Sequence, residues 1–119
     1  KIISGGTIIL EVPHANDFLL SFIKNDDFKQ FTLWSQHLIL HTKESLYQLL
    51  DFVGMKDIEI DGIQRYPLSN HLNWIKNGKP GGHETDLSVI DNRGLSEIYE
   101  ISLNKINATD TLIATAKKP

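Results

Sequence analysis

The sequence predicts an α/β fold in which a strand is followed by helices, a second strand, further helices and a last strand. Residues 7–12, TIILEV, form a short apolar run rich in β-branched side chains, which is typical of a strand. Residues 57–61 alternate between charged and apolar side chains, with the period of a half-exposed strand. A helical stripe lies between these segments. Because helices that join strands act as crossovers, we expect a sheet that is at least partly parallel.

The first strand follows Gly5 and Gly6 and stops at Pro13. Its nearly continuous apolar character predicts burial on both faces. Residues 17–24 then carry an apolar stripe that a helix would gather on one side, formed by Phe18, Leu19, Phe22 and Ile23. We therefore expect a short helix directly after the first strand.

The clearest helix begins after Thr42, whose side chain suits an N-cap, with Glu44 in the first turn where the helix dipole favours an acid. Gly54 follows at the position where a helix end needs a left-handed residue. The apolar stripe between them recurs at helical spacing and consists of Leu46, Leu49, Leu50 and Val53. Residues 57–61 then form the second strand, which Gly62 ends.

The second half of the chain predicts a helix, a loop, another helix and a strand. A helical stripe is formed by Leu68, Leu72 and Ile75, and residues 78–82 form a loop by composition. Residues 95–106 have the pattern of an amphipathic helix. Residues 111–116, TLIATA, predict the closing strand.

Length and composition set further bounds. At 119 residues, the chain has room for one modest domain. Twelve Lys and Arg are scattered among fifteen Asp and Glu, without the basic stripe that capture of nucleic acid requires, so we expect no nucleic-acid partner. The chain has no cysteine, which excludes thiolate zinc sites and thiol nucleophiles. No apolar run approaches the roughly 20 residues that span a bilayer, so we expect no membrane partner and a cytoplasmic location.

Residues 64–83, QRYPLSNHLNWIKNGKPGGH, combine cations, aromatics, amides, imidazoles and glycines in a way that no core requirement explains. The chain also lacks the glycine-rich nucleotide loop G-x-G-x-x-G, because its only glycine pairs are Gly5-Gly6 and Gly81-Gly82. It begins at Lys1 without an initiator methionine. We therefore expect it to be the C-terminal part of a larger protein.

Four strings in the chain carry a resemblance to a known family. They are GGTIILEVP, HLILHTKESLYQLLDFVGM, RYPLSNHLNWIKNGKPGGH and DTLIATAKK. Together they resemble the C-terminal half of the Rossmann-like domain of class I S-adenosylmethionine-dependent methyltransferases. RYPLSNHLNW and GKPGGH resemble a narrower bacterial subgroup that is associated with sugar and surface-glycan pathways. The sequence departs from the family at Met55, where phenylalanine is more frequent, and at His14, where asparagine is more usual.

The resemblance implies a partial domain in three parts. Residues 1–62 would form a strand-helix-strand unit of the methyltransferase sheet, residues 63–110 a helical insertion on the substrate side, and residues 111–119 the final antiparallel strand. Residues 7–12 would be the fifth strand of the family sheet, residues 57–61 the sixth, and residues 111–116 the seventh, inserted between them. The S-adenosylmethionine site would lie mainly upstream of Lys1, so no cofactor-binding residue is assigned here.

Methyl transfer requires a positioned nucleophile and, where that nucleophile begins protonated, a base. Histidine is the natural base near neutral pH, and we favour His71 and His37, which lie in the family-like strings. For each of them a structural or surface role is the competing interpretation.

The remaining candidates would bind a small-molecule substrate, either a sugar or another polar ring. Asn70 and Trp74 share a helix face away from the apolar stripe, although Trp74 equally suits packing against a parent domain. Five further residues have one functional and one structural interpretation each. Arg65 and Tyr66 could clamp a phosphate or carboxylate, or they could form a salt bridge and a packed ring. Lys79 and His83 could belong to a lid over a nucleotide-sugar diphosphate, or to a tight connection. Glu11 could face the active site, or it could lie at an edge or simply be exposed to solvent.

Two alternatives complete the sequence-based hypotheses. A metal site is not expected, because the five histidines lack compact ligand spacing. A stand-alone, non-catalytic binding module derived from a methyltransferase half-domain is the alternative to the enzyme fragment. In either case, half a sheet leaves an unpaired edge, through which we expect dimerisation or aggregation.

Overall fold

The computed structural model describes residues 1–34 and 39–119. The predicted base His37 lies outside the described residues. The elements, in chain order, are β1 (Thr7–Pro13), α1 (Phe18–Ser21), α2 (Asp26–Thr32), α3 (Lys43–Phe52), β2 (Lys56–Ile63), α4 (Leu68–Asn77), two 3₁₀ turns (Gly82–Glu84 and Asp86–Ile90), α5 (Arg93–Lys105) and β3 (Thr111–Lys117). The fold is therefore α/β, with a three-stranded antiparallel sheet and several helices.

The last strand, β3, occupies the centre of the sheet. The strand order is β1-β3-β2, and β3 is antiparallel to both neighbours. Pro13 at the end of β1 and Ile63 at the end of β2 both pair with Thr111. The expectation of a partly parallel sheet is corrected here, since each described strand pair is antiparallel. β1 and β2 nevertheless run in the same direction, and their carboxyl ends meet at one edge.

The core lies between α3 and one face of the sheet. Its buried members are Leu46, Leu50, Met55, Leu112, Ala114 and Ala116. The predicted start of α3 is confirmed, because the Thr42 hydroxyl accepts a hydrogen bond from the backbone N–H of Ser45 at 3.0 Å. Gly54 has a φ of +82°, as the predicted helix end requires. Leu49 and Val53 are exposed, so the stripe that packs on the sheet is narrower than the sequence pattern suggested.

The two outer strands each bury one face. Burial alternates along β2, as its sequence pattern predicted. Burial of β1 on both faces was predicted wrongly: Ile8, Leu10 and Val12 pack on the core, but Ile9 is 69% exposed and Glu11 is also exposed. Although the sequence of β1 is continuously apolar, the described residues cover only one face of this strand.

α4 buries the face that its sequence pattern assigned to the outside. Ile75 of the apolar stripe is exposed, whereas the buried residues of this helix are Ser69, Asn70, His71, Asn73 and Trp74. Buried polar groups must find hydrogen-bond partners, and these side chains find theirs in the segments around the candidate site.

Candidate functional site

A cavity of about 1070 Å³ opens where β1 and β2 end. The end of β1, the helices α1, α2 and α4, the segment after β2 and the loop after α4 all contribute to its walls. In α/β proteins this edge of the sheet is the usual place for a ligand. The predicted substrate and catalytic residues that line the cavity are Glu11, Arg65, Tyr66, Asn70, His71, Trp74 and His83.

Asp110, just before β3, holds the segment after β2 in place. Its carboxylate accepts hydrogen bonds from the backbone N–H groups of Arg65 at 2.9 Å and Tyr66 at 3.0 Å. The side chains of Gln64 and Thr111 donate to it at 2.9 and 2.8 Å. Burial raises the pKa of Asp110. The four hydrogen bonds act in the opposite direction and favour the ionised carboxylate, because the hydrogen of a protonated carboxyl group would face one of these donors.

His71 on α4 is 2% exposed, and described side chains surround its ring. Its Nδ1 lies 2.5 Å from the Tyr99 hydroxyl on α5, and its Nε2 lies 3.4 Å from Gln64 Nε2. The ring also stacks on Phe18, with the centroids 5.9 Å apart. Burial lowers the pKa of His71 to about 4, so the imidazole is neutral near pH 7. The catalytic role stays a prediction, but the geometry favours a structural one because both ring nitrogens face protein partners.

The loop after α4 is fastened to the helix by amides. Asn70 Oδ1 accepts a hydrogen bond from the backbone N–H of Gly81 at 2.9 Å, and Asn73 donates to the backbone carbonyls of Lys79 and Pro80. A Cβ at Gly82 would lie 2.0 Å from the backbone oxygen of Ser69. The absence of a side chain at Gly82 therefore allows the loop backbone to lie close to the backbone of α4. These contacts favour a fixed connection over the predicted lid.

Lys79 is exposed and does not line the cavity, unlike the other predicted substrate residues. Its backbone carbonyl, and not its ammonium group, makes the described contact. The position of Lys79 outside the cavity wall therefore does not support the predicted contact between Lys79 and a diphosphate.

Trp74 is 2% exposed and packs against α2. Its ring lies 5.2 Å from Phe28 in an edge arrangement and 5.1 Å from Phe31. The packing interpretation is thus the one observed, although the contact partner is α2 and not a separate domain. Trp74 still forms part of the cavity wall, in the middle of an aromatic cluster.

Arg65 and Glu11 both line the cavity and form an ion pair with each other. Both side chains are partly exposed, so the pair contributes little to stability. It does, however, join the segment after β2 to the exposed face of β1. Next to it, the Tyr66 ring lies 5.8 Å from the His83 ring. The structural interpretation of Arg65, a salt bridge, is therefore the one observed.

Two buried, titratable residues of the cavity wall were missed by the sequence prediction. His14 is 1% exposed, and its Nδ1 lies 2.8 Å from the backbone oxygen of Thr109, so Nδ1 carries the proton and donates it. Its Nε2 is buried and has no hydrogen-bond partner among the described residues. Burial lowers the pKa of His14, so its ring is neutral. The only sequence signal was its position directly after a strand and a proline.

Asp17 is the second missed residue, and it is 3% exposed. Its carboxylate caps α1 by accepting a hydrogen bond from the backbone N–H of Leu19 at 2.7 Å. Burial, reinforced by the nearby charge of Asp110, raises the pKa of Asp17 to about 7. An aspartate just before an apolar helical stripe was a readable capping signal, but nothing nearby in the sequence indicated its burial.

Comparisons with family models, with curated proteins and with solved structures found no match to this chain. Within residues 1–34 and 39–119, no three His, Asp or Glu side chains cluster in a way that would hold a metal ion. None of the helices in the same two ranges has the length and apolar character needed to cross a membrane.

Proposed function

We propose that this chain is the C-terminal, substrate-side part of an S-adenosylmethionine-dependent methyltransferase of the cytoplasm. The observation that carries the proposal is the cavity at the common carboxyl edge of β1 and β2, where seven of the nine residues chosen from the sequence lie together. The strand order supports it as well, since the resemblance implied a last antiparallel strand inserted between the two others.

In this proposal the present residues bind and orient the methyl acceptor. The cofactor would supply an electrophilic methyl group, and residues outside this chain would hold most of it. The chain itself offers a deep wall of aromatic rings and a few fixed polar atoms, which is the usual composition of a small-molecule site. Orientation of the acceptor is the main requirement of methyl transfer, and in this proposal the residues of the cavity wall would provide it.

The test begins with the coding sequence upstream of Lys1. We expect a strand, a glycine-rich loop and an acid about 20 residues later. The protein encoded by the whole gene should then bind S-adenosylmethionine with one-to-one stoichiometry in calorimetry, and the chain from Lys1 to Pro119 should bind it weakly or not at all. Tight binding by the present chain, or no binding by the whole gene product, would overturn the proposal.

The second candidate is a stand-alone binding module without catalysis. It is favoured by one observation, that His71 and Trp74 are both engaged in packing while the cavity remains open. Capture of a small molecule by a gene product that does not bind S-adenosylmethionine would select this candidate.

In the described sheet, β1 and β2 are the outer strands, and each has one edge that pairs with no described strand. We propose that the chain from Lys1 to Pro119, when studied alone, dimerises or aggregates through the edge of β1, because unpaired backbone groups on an exposed strand are a template for pairing. Sedimentation at high concentration tests this point, and a clean monomer would contradict it.

A further inference from the structure

We infer that the cavity binds a flat, mainly apolar molecule that carries a carbonyl oxygen, and that Nδ2 of Asn70 donates a hydrogen bond to this oxygen. The inference rests on the proposed function insofar as this molecule is the methyl acceptor, and it names a substrate class other than a sugar. Binding itself follows from three properties of the cavity.

The first property is an oriented amide with an unused donor. Asn70 is 5% exposed and lines the cavity. Its Oδ1 accepts a hydrogen bond from the backbone N–H of Gly81 at 2.9 Å. Because a backbone N–H only donates, this contact fixes the orientation of the amide and identifies its other terminal atom as the NH₂ group. No hydrogen bond among the described residues uses that group.

The amide nitrogen of Asn70 is also open to a ligand. Within residues 1–34 and 39–119, Nε2 of His14 is the one side-chain nitrogen or oxygen that is both sealed from solvent and without a partner. Nδ2 of Asn70 has no described partner either, so it is not sealed and solvent reaches it. Because Asn70 lines the cavity and is otherwise buried, a ligand in the cavity can replace this solvent and accept the hydrogen bond.

The second property is the aromatic surface. Phe31, Trp34 and Tyr66 line the cavity and are between 48% and 56% exposed. Phe31 is held by contact with Trp74, which is itself packed on Phe28. Half-exposed rings on a supported wall suit a flat apolar ligand, since ring contacts add to the gain from burying apolar area.

The third property is that much of the polar chemistry of the wall is already used by the wall. Asp110 accepts hydrogen bonds from four donors, and both ring nitrogens of His71 face protein partners. Arg65 and Glu11 are paired with each other. A sugar has a hydroxyl on most of its carbons, and groups that are already bonded do not replace the water that these hydroxyls would lose. One carbonyl oxygen needs only the amide of Asn70.

The experiment measures binding to the protein encoded by the whole gene by nuclear magnetic resonance. Acetophenone is the probe, because it combines an aromatic ring with one carbonyl oxygen and has no charge and no donor. Methyl β-D-glucopyranoside represents the sugar class. We expect acetophenone to bind at least about tenfold more tightly than the glucoside. Equal or tighter binding of the glucoside, or no binding of acetophenone up to its solubility limit, overturns the inference.

The contact with Asn70 has its own measurement. In protein labelled with ¹⁵N at the side chains of asparagine, the NH₂ signal of Asn70 should move when acetophenone is added. Asn70→Asp keeps an oxygen for the N–H of Gly81 but replaces the donor with a second oxygen, so it should weaken acetophenone binding about tenfold. Asn92→Asp is the matched control, because its oxygen also accepts from a backbone N–H, that of Leu95, and it does not line the cavity. An unmoved signal or an unchanged affinity of Asn70→Asp refutes the contact, and the signal of the wild-type protein decides if the variant does not fold.

The ring contacts are tested by a second pair of substitutions. Phe31→Ala should weaken acetophenone binding about threefold or more, because it removes a ring from the wall. Phe52→Ala removes an equally exposed kind of side chain from α3, outside the cavity, and should leave the affinity unchanged. The same affinity in both variants would refute the role of the aromatic surface.

These outcomes are separable from those of the proposed function, because probe binding needs no cofactor. Acetophenone binding by a gene product without methyl transfer refutes the methyltransferase proposal alone. Methylation of a sugar held in this cavity refutes the present inference alone.

Discussion

Replacing Asp17 with asparagine should remove the fall in stability that this carboxyl group causes as the pH rises from about 4 to 7. Asparagine keeps the oxygen that accepts the hydrogen bond from the backbone N–H of Leu19, so the cap of α1 survives. It cannot ionise, however. The variant therefore removes one titration and leaves the local geometry in place.

The magnitude follows from the pKa of the carboxyl group. Burial raises the pKa of Asp17 from 3.8 to about 7, so the folded protein binds a proton that the unfolded chain has lost between these pH values. Stability then falls as the pH rises through this window, by about 4 kcal/mol in total. The low pKa of His71, about 4, acts in the opposite sense, because the unfolded chain binds the additional proton. The wild-type profile is therefore flatter than Asp17 alone would make it.

Urea unfolding at half-unit steps from pH 4 to pH 8 measures the effect. We expect the stability of Asp17→Asn minus that of the wild type to increase by about 4 kcal/mol across this range, because His71 contributes equally to both proteins. Asp51→Asn, which removes an exposed carboxylate from α3, is the control for the change in net charge. An increase below about 1.4 kcal/mol, the value of one pKa unit, or a decrease would refute the burial argument.

Three further substitutions test other contacts. Gly82→Ala should destabilise the protein by more than about 2 kcal/mol, because its Cβ would collide with the Ser69 backbone oxygen; unchanged thermal unfolding would contradict the close approach. Tyr99→Phe should cost about 1–3 kcal/mol in urea unfolding, because it leaves Nδ1 of His71 buried without its partner, and a neutral effect would show that the hydrogen bond is unimportant. Thr42→Ala should cost about 1 kcal/mol through loss of the α3 cap, and Thr42→Ser should restore most of it.

The elements that the sequence predicted well are those with local signals. α3 has a capping threonine, a helical stripe and a glycine at its end, and all three depend only on residues close together in the chain. β2 alternates in sequence and in burial for the same reason. The apolar run of β1 was misleading about burial, because an apolar residue such as Ile9 does not itself determine what covers it.

The candidate site depended on partners that are distant in sequence. The sequence pattern of α4 predicted burial of its apolar stripe, but the structure buries the polar face of this helix. That face is buried because its polar side chains find hydrogen-bond partners up to 28 positions away in the chain, as in the contact of His71 with Tyr99. Asn70 and Asn73 form hydrogen bonds that hold the following loop against α4. The sequence showed that these amides were present, but it did not show which groups they bind. Residues 64–83 contribute to the cavity wall, but the prediction that no core requirement explains their composition was wrong in part, because several of them are buried. Much of their polarity serves to hold the cavity wall together.

The central position of β3 also determines the order in which the sheet can assemble. β1 and β2 both pair with β3, and the register joins Thr7 to Lys117, across almost the whole chain. During synthesis, therefore, neither outer strand finds its described partner until residues 111–117 have left the ribosome. Until then the apolar side chains of β1 lack the described strand beside which they pack. Closing loops of this length before any strand pairs is slow, so we expect folding in milliseconds to seconds and a need for protection of the nascent chain.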